Sequence, residues 1–149
     1  MSRKVEFLFD FGSPNAYLSW KAVPDIEKRT GATFTYVPVL LGGIFKATNN
    51  VSPVIANQGI RNKGEYQFLE IERFVKKHGL TKFKFNTHFP VNTLQIMRGA
   101  IAAEMDGTLP KYLEAVMPAM WENSQKMDDP EVIKSVLDAG GIDGAHILA

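Results

Sequence analysis

Apolar residues crowd the stretch Val5-Glu6-Phe7-Leu8-Phe9-Asp10-Phe11 and then return at wider, helix-like intervals. A short apolar run bounded by turn residues predicts a strand. Here the strand covers about residues 4 to 11, with Asp10 at its mouth and Gly12-Ser13-Pro14 as the boundary. From Pro14 to about Arg29 the spacing is helical, with Tyr17, Leu18 and Ile26 on the inward stripe and Gly31 at the exit. Pro24 lies inside that segment and predicts a kink or a break, because proline removes a helical hydrogen bond. Thr33 to Val39 reads as a second strand. Strand, helix and strand in so short a span imply a right-handed crossover and a parallel pair.

Leu40 to Asn50 reads as a loop with about one helical turn, at the end of the sheet that the Ser13 turn overhangs. Ligands of open α/β sheets gather outside the carboxyl ends of the strands, so residues 41 to 63 are candidates for a pocket wall. From Gly64 the pattern is helical: Tyr66, Leu69, Phe74 and Val75 share an apolar side of a helix ending near His78-Gly79. Residues 81 to 91 form a polar and aromatic loop, and Asn92 or Thr93 caps a helix reaching about Met105. Pro110 starts another to about Asn123, disturbed by Pro118; Asp129-Pro130 opens a fourth that ends at Gly140-Gly141, and Asp143 caps a fifth. The division this predicts is a βαβ part with its pocket loop over 1–63 and a helical part over 64–149. Two parallel strands alone leave sheet faces and edges uncovered. Either strands hide within Thr81 to Phe89, or the sheet is completed by strands beyond residue 149; the pattern favours the second.

Composition narrows the classes. A chain of 149 residues, 45% hydrophobic and 22% charged, fits one globular domain. With 17 basic and 16 acidic residues there is no general attraction to nucleic acid or to an anionic membrane. No apolar run approaches the roughly 20 residues that cross a bilayer, and the first residues do not form a signal peptide. The expectation is a cytoplasmic protein. The absence of cysteine excludes a disulfide, a CxxC redox pair and a thiolate metal site. His78, His88 and His146 are too scattered to argue for a metal.

Ser13 is the leading candidate for chemistry. A serine before Pro14 suits the N-cap, where free N–H groups and the positive end of the helix converge. It reads equally as a plain cap or as a hydroxyl that donates to an anionic sulfur, oxygen or phosphate. Phe11-Gly12-Ser13-Pro14 is not a nucleophile elbow, and Gly42-Gly43 is neither a dinucleotide fingerprint nor a P-loop. Asn50 and Lys63 add an amide for a peptide backbone and an ammonium for a carboxylate, although a turn residue and an exposed helix-leading charge explain them as well. With Ser13 they describe a place for a small thiol-containing peptide. Phe45, Phe85 and Phe89 are candidates for the apolar half of a substrate pocket or for core; His88 reaches that pocket or lies on a surface loop.

Three ordered segments carry a resemblance: Phe9-Asp10-Phe11-Gly12-Ser13-Pro14 with Tyr17-Leu18, Pro38 to Lys46 and on to Asn50, and Phe89-Pro90-Val91-Asn92-Thr93. With them the chain resembles the 2-hydroxychromene-2-carboxylate isomerase family, grouped with kappa-class glutathione transferases among DsbA-type thioredoxin-like proteins. The resemblance implies an α/β fold: a thioredoxin-like βαβ start with a large helical insertion, the C-terminal strands of the sheet missing from the 149 residues. It implies that Ser13 stands where related oxidoreductases place a reactive cysteine, that Asn50 is the family's pocket asparagine and that Lys63 recognises glutathione. A segment ending in a cis-proline that binds the cysteinyl part of glutathione, and residues for its γ-glutamyl end, would follow position 149. The implied activity is glutathione-dependent cis-trans isomerisation of an unsaturated aromatic keto acid by a homodimer. Glutathione conjugation to an electrophile and glutathione binding without turnover are the alternatives; dithiol redox chemistry is not, because Ser13 replaces the sulfur.

Overall fold

In the computed structural model, which describes residues 4–149, strand β1 (Lys4–Phe9) runs parallel to β2 (Thr33–Pro38), with Phe7 opposite Tyr36 and Phe9 opposite Pro38. Helix α1 (Pro14–Thr30) makes the crossover and ends at Gly31, whose φ of 67° is the left-handed conformation that glycine adopts without penalty. Six helices of the described residues follow a short α2 (Leu41–Ala47): α3 (Pro53–Ala56), α4 (Lys63–His78), α5 (Leu94–Met105), α6 (Leu109–Trp121), α7 (Pro130–Ala139) and α8 (Gly144–Leu148). The α/β class with a helical insertion is thus as expected. Among the described residues the sheet has two strands, and Thr81 to Phe89 contributes none.

Hydrophobic burial explains the packing. Phe9 and Phe11 at the end of β1 meet Tyr112, Met117 and Trp121 of α6 in a core that continues through Ile133 and Leu137 of α7. Helix α1 packs on α4 and α6, placing Tyr17, Leu18 and Val23 inward, while Ile26 is half-buried. On the outer side of β1, Leu8 stays exposed. Among the described residues no helix is long and apolar enough to cross a membrane.

The structure corrects several local expectations. Helices α1 and α6 run without interruption through Pro24 and Pro118. The cost of an internal proline, about 3 kcal/mol, is offset by the buried turns on either side, such as Met117 and Met120 around Pro118. Leu40 to Asn50 is more helical than expected: α2 forms over Leu41–Ala47 despite Gly42 and Gly43, its first amide bound by a carboxylate from far along the chain. On α4 the buried residue is Ile71, whereas Tyr66 and Leu69, expected on the inward side, are exposed.

The loop from Thr81 to Val91 is held by one buried side chain instead of a ladder. Asn86 donates through Nδ2 to the carbonyls of Met120 and Gln125, both at 2.9 Å, and accepts from the His88 N–H at 2.8 Å. The Lys84 N–H donates to the Trp121 carbonyl at 2.7 Å, and the Phe89–Pro90 peptide that follows is cis.

Candidate functional site

At the end of β1 the chain turns through Asp10, Phe11 and Gly12 into α1. The Ser13 N–H donates to the Asp10 carbonyl at 3.0 Å, and Ser13 takes an extended conformation, as an N-cap residue does. Its Oγ accepts the Ala16 N–H at 3.2 Å. A hydroxyl that accepts in this way keeps its own proton for donation, so capping and ligand binding are compatible roles.

Ser13 lies on an open depression of about 240 Å³. Phe7, Leu8, Phe9, Val39 and Leu41 give it an apolar side; Asp10, Ser13, Asn15 and Ser19 give it a polar one. The sequence pattern alone does not single out Asn15 and Ser19. They lie one turn apart on α1 and so share a face, a spacing that could have pointed to them once Ser13 was in view.

The three segments that carried the resemblance meet at this turn. Asp10, only 2% exposed, accepts the Gly12 N–H through Oδ1 and the Leu41 N–H through Oδ2, each at 2.8 Å. Thr93 closes in from the third segment: a Cβ at Gly12 would stand 3.0 Å from Thr93 Cγ2, so only glycine fits without a shift. Beneath them the Trp121 indole N–H donates to the Phe11 carbonyl at 2.8 Å.

The other candidates are placed differently. Asn50 is exposed after α2, with Oδ1 accepting the neighbouring Val51 N–H at 2.8 Å. Lys63 is exposed at the start of α4. Neither lines the depression, and of residues 41 to 63 only Leu41 does. Phe45 is half-buried on α2, one turn from Leu41. Phe85 and Phe89 pack edge-on to each other with ring centres 5.2 Å apart, and both contact Trp121. His88 is exposed on the loop.

Behind the turn, Glu122 joins α1 to the end of α6. Its Oε1 accepts from the Tyr17 hydroxyl at 2.8 Å and pairs with Lys21 Nζ at 2.9 Å, while Lys21 also sits over the Trp20 ring at 4.8 Å. Burial pushes the Glu122 carboxyl upward, but hydrogen bonds from Lys21 and Tyr17 and the charges of Lys21 and Lys82 outweigh it, leaving the group below its ordinary value. A carboxyl lowered by folding stabilises fully above its unfolded pKa, about 4.3 for glutamate, and ceases to do so as pH falls through the folded value. Glu122→Gln is therefore expected to cost about 1 kcal/mol at neutral pH, with a smaller difference from the native chain at acid pH. Denaturant unfolding of both proteins across that range checks it; a difference that grows on acidification would refute the assignment.

Comparison with known proteins agrees with this architecture. The DSBA-like thioredoxin domain family matches over residues 4–149. A 2-hydroxychromene-2-carboxylate isomerase from Sphingobium xenophagum is 31% identical over 78 residues, covering 52% of this chain and 39% of that protein. Another from Pseudomonas putida is 25% identical over 119 residues, covering 78% and 55% respectively. The chain thus spans about half the length or less of these relatives. A solved 2-hydroxychromene-2-carboxylate isomerase structure superposes with a TM-score of 0.73 at 23% identity, over 97% of this chain and 68% of that one. With a family match running from the first described strand to the last residue, the chain belongs to the DsbA-like thioredoxin domain family.

Proposed function

We propose that the Ser13 turn is the thiol-binding part of a glutathione-dependent isomerase acting on an unsaturated aromatic keto acid, interconverting 2-hydroxychromene-2-carboxylate and trans-o-hydroxybenzylidenepyruvate. The observation that carries the reading is the Ser13 hydroxyl, which caps α1 through its oxygen, keeps a proton to donate and borders the depression. An anionic sulfur there would meet a donor, the positive end of a 17-residue helix and an apolar wall that strengthens both interactions. The relatives named for this reaction support the choice of substrate class.

Bound glutathione would supply a thiolate able to add to a conjugated carbon, allow rotation about what had been a double bond and leave again as the carbon–sulfur bond breaks, restoring the alkene in the other geometry. The chain's part is binding and orientation. Ser13 is a positioning donor, because no histidine borders the depression to act as its base. Asn50 and Lys63 are the candidates for the peptide's amide and carboxylate groups. Phe45, on the same face of α2 as Leu41, is the aromatic candidate beside the apolar wall, whereas Phe85 and Phe89 are committed to Trp121. A soluble homodimer in the cytoplasm is part of the same proposal.

Interconversion of a chromene carboxylate, followed by stopped-flow absorbance, is expected to require glutathione and to leave the substrate mass unchanged. Equal rates with and without the thiol would reject the reading. A product heavier by one glutathione would instead indicate a transferase, and calorimetric binding without turnover a non-catalytic glutathione-binding protein.

A further inference from the structure

Among the described residues Asp10 is the only buried residue of a charged type. A buried carboxylate is costly unless it is hydrogen-bonded, and here both oxygens are engaged by backbone amides. One bond is local: Gly12, two positions on, immediately precedes Ser13. The other reaches 31 positions to Leu41, which opens α2 and borders the depression on its apolar side. The carbonyl of the preceding residue, Phe9, accepts the Val39 N–H at 2.9 Å, reinforcing the same junction.

We propose that Asp10 is the positioning residue of this site, a single carboxylate that fixes the Ser13 turn and the Leu41 wall relative to each other. The proposal rests on the reading of Ser13 as a hydrogen-bond donor to a bound thiolate. It assigns Asp10 no contact with the reacting atoms. In Asp10→Asn the side chain keeps its shape, but its one carbonyl oxygen can hold only one of the two amides, while its NH₂ faces the other donor to donor. Leu41→Pro removes the long-range bond, and Leu41→Ala, which trims the same apolar wall but keeps the N–H, is the control for the side chain lost with it: the position is the first of α2, where proline is tolerated, and Leu40 already has the extended conformation that proline requires of its predecessor.

Charge and positioning predict opposite signs. A negative charge disfavours a thiolate nearby, so removing it would raise the ionised fraction of bound glutathione if Asp10 acted only as a charge. Loss of positioning lowers that fraction. The ultraviolet absorbance of the thiolate, titrated with glutathione bound to the 149-residue chain, is expected to show a roughly tenfold lower thiolate-to-thiol ratio in Asp10→Asn and, against its alanine control, in Leu41→Pro. Amide hydrogen exchange is expected to show Leu41 deprotected in Asp10→Asn while Ala16 remains as in the native chain. An unchanged or increased thiolate ratio in Asp10→Asn, or a Leu41 amide as protected as before, would overturn the proposal. If the native chain binds glutathione without ionising it, the Ser13 reading fails, and the exchange of Gly12 and Leu41 alone decides whether Asp10 holds the two walls.

Discussion

Trp121→Ala is expected to destabilise the chain by about 3 to 5 kcal/mol, the range for removing a large aromatic side chain from a core. The indole is fully buried at the end of α6, stacked on Phe83 and in contact with Phe85 and Phe89. Its N–H also satisfies the Phe11 carbonyl inside the turn that presents Ser13. The substitution would therefore open a cavity and leave a buried acceptor unpaired. Trp121→Phe separates the two effects, since it keeps most of the ring surface but removes the donor, for an expected loss of about 1 to 3 kcal/mol from the unsatisfied carbonyl together with lost packing. Because a domain of this kind has only about 5 to 15 kcal/mol in reserve, the alanine variant should be marginal, and denaturant unfolding should rank native, Phe and Ala in that order. An alanine variant within about 1 kcal/mol of the native chain would mean that the aromatic cluster and the turn are not energetically joined.

The Trp121–Phe11 bond spans 110 positions, and such distances divide what the sequence disclosed from what it withheld. Local signals were readable: Ser13-Pro14, Asp129-Pro130 and Asp143 each mark a helix start, and all three side chains cap as their positions suggest. The strand, helix and strand at the beginning were equally plain, because a bounded apolar run and helical spacing are properties of adjacent residues. Long-range contacts were not readable. The first amide of the helix at Leu41 is held by Asp10, 31 positions earlier, and a local reading of Gly42-Gly43 sees only a breaker. The 81–91 loop is fixed by Asn86 against carbonyls 34 and 39 positions away, a bond no periodicity encodes. At the site the same division holds. Ser13 announced itself through its cap, but Asn15 and Ser19 became visible only with the depression they border, and Asn50 and Lys63 lie outside that depression.

Ser13 has an observed role as a cap and a proposed one as a donor, which ordinary substitution would confound, and the choice of replacement separates them. Alanine removes both the cap and the donor, and losing the cap alone is expected to cost about 1 kcal/mol of stability. Glycine is itself an acceptable N-cap, within a few tenths of a kcal/mol of serine, yet it has no hydroxyl to offer a ligand. Threonine keeps both. If the hydroxyl holds an anionic sulfur, removing a hydrogen bond worth about 1.5 to 3 kcal/mol should lower the thiolate-to-thiol ratio of bound glutathione roughly 10- to 100-fold. Ser13→Gly should show that loss in full at nearly native stability, Ser13→Ala should show it together with a lower unfolding midpoint, and Ser13→Thr should retain most of the ionisation. A glycine variant that ionises the bound thiol as well as the native chain would leave Ser13 with its cap and nothing more, because the free hydroxyl proton is the one property that the cap does not use.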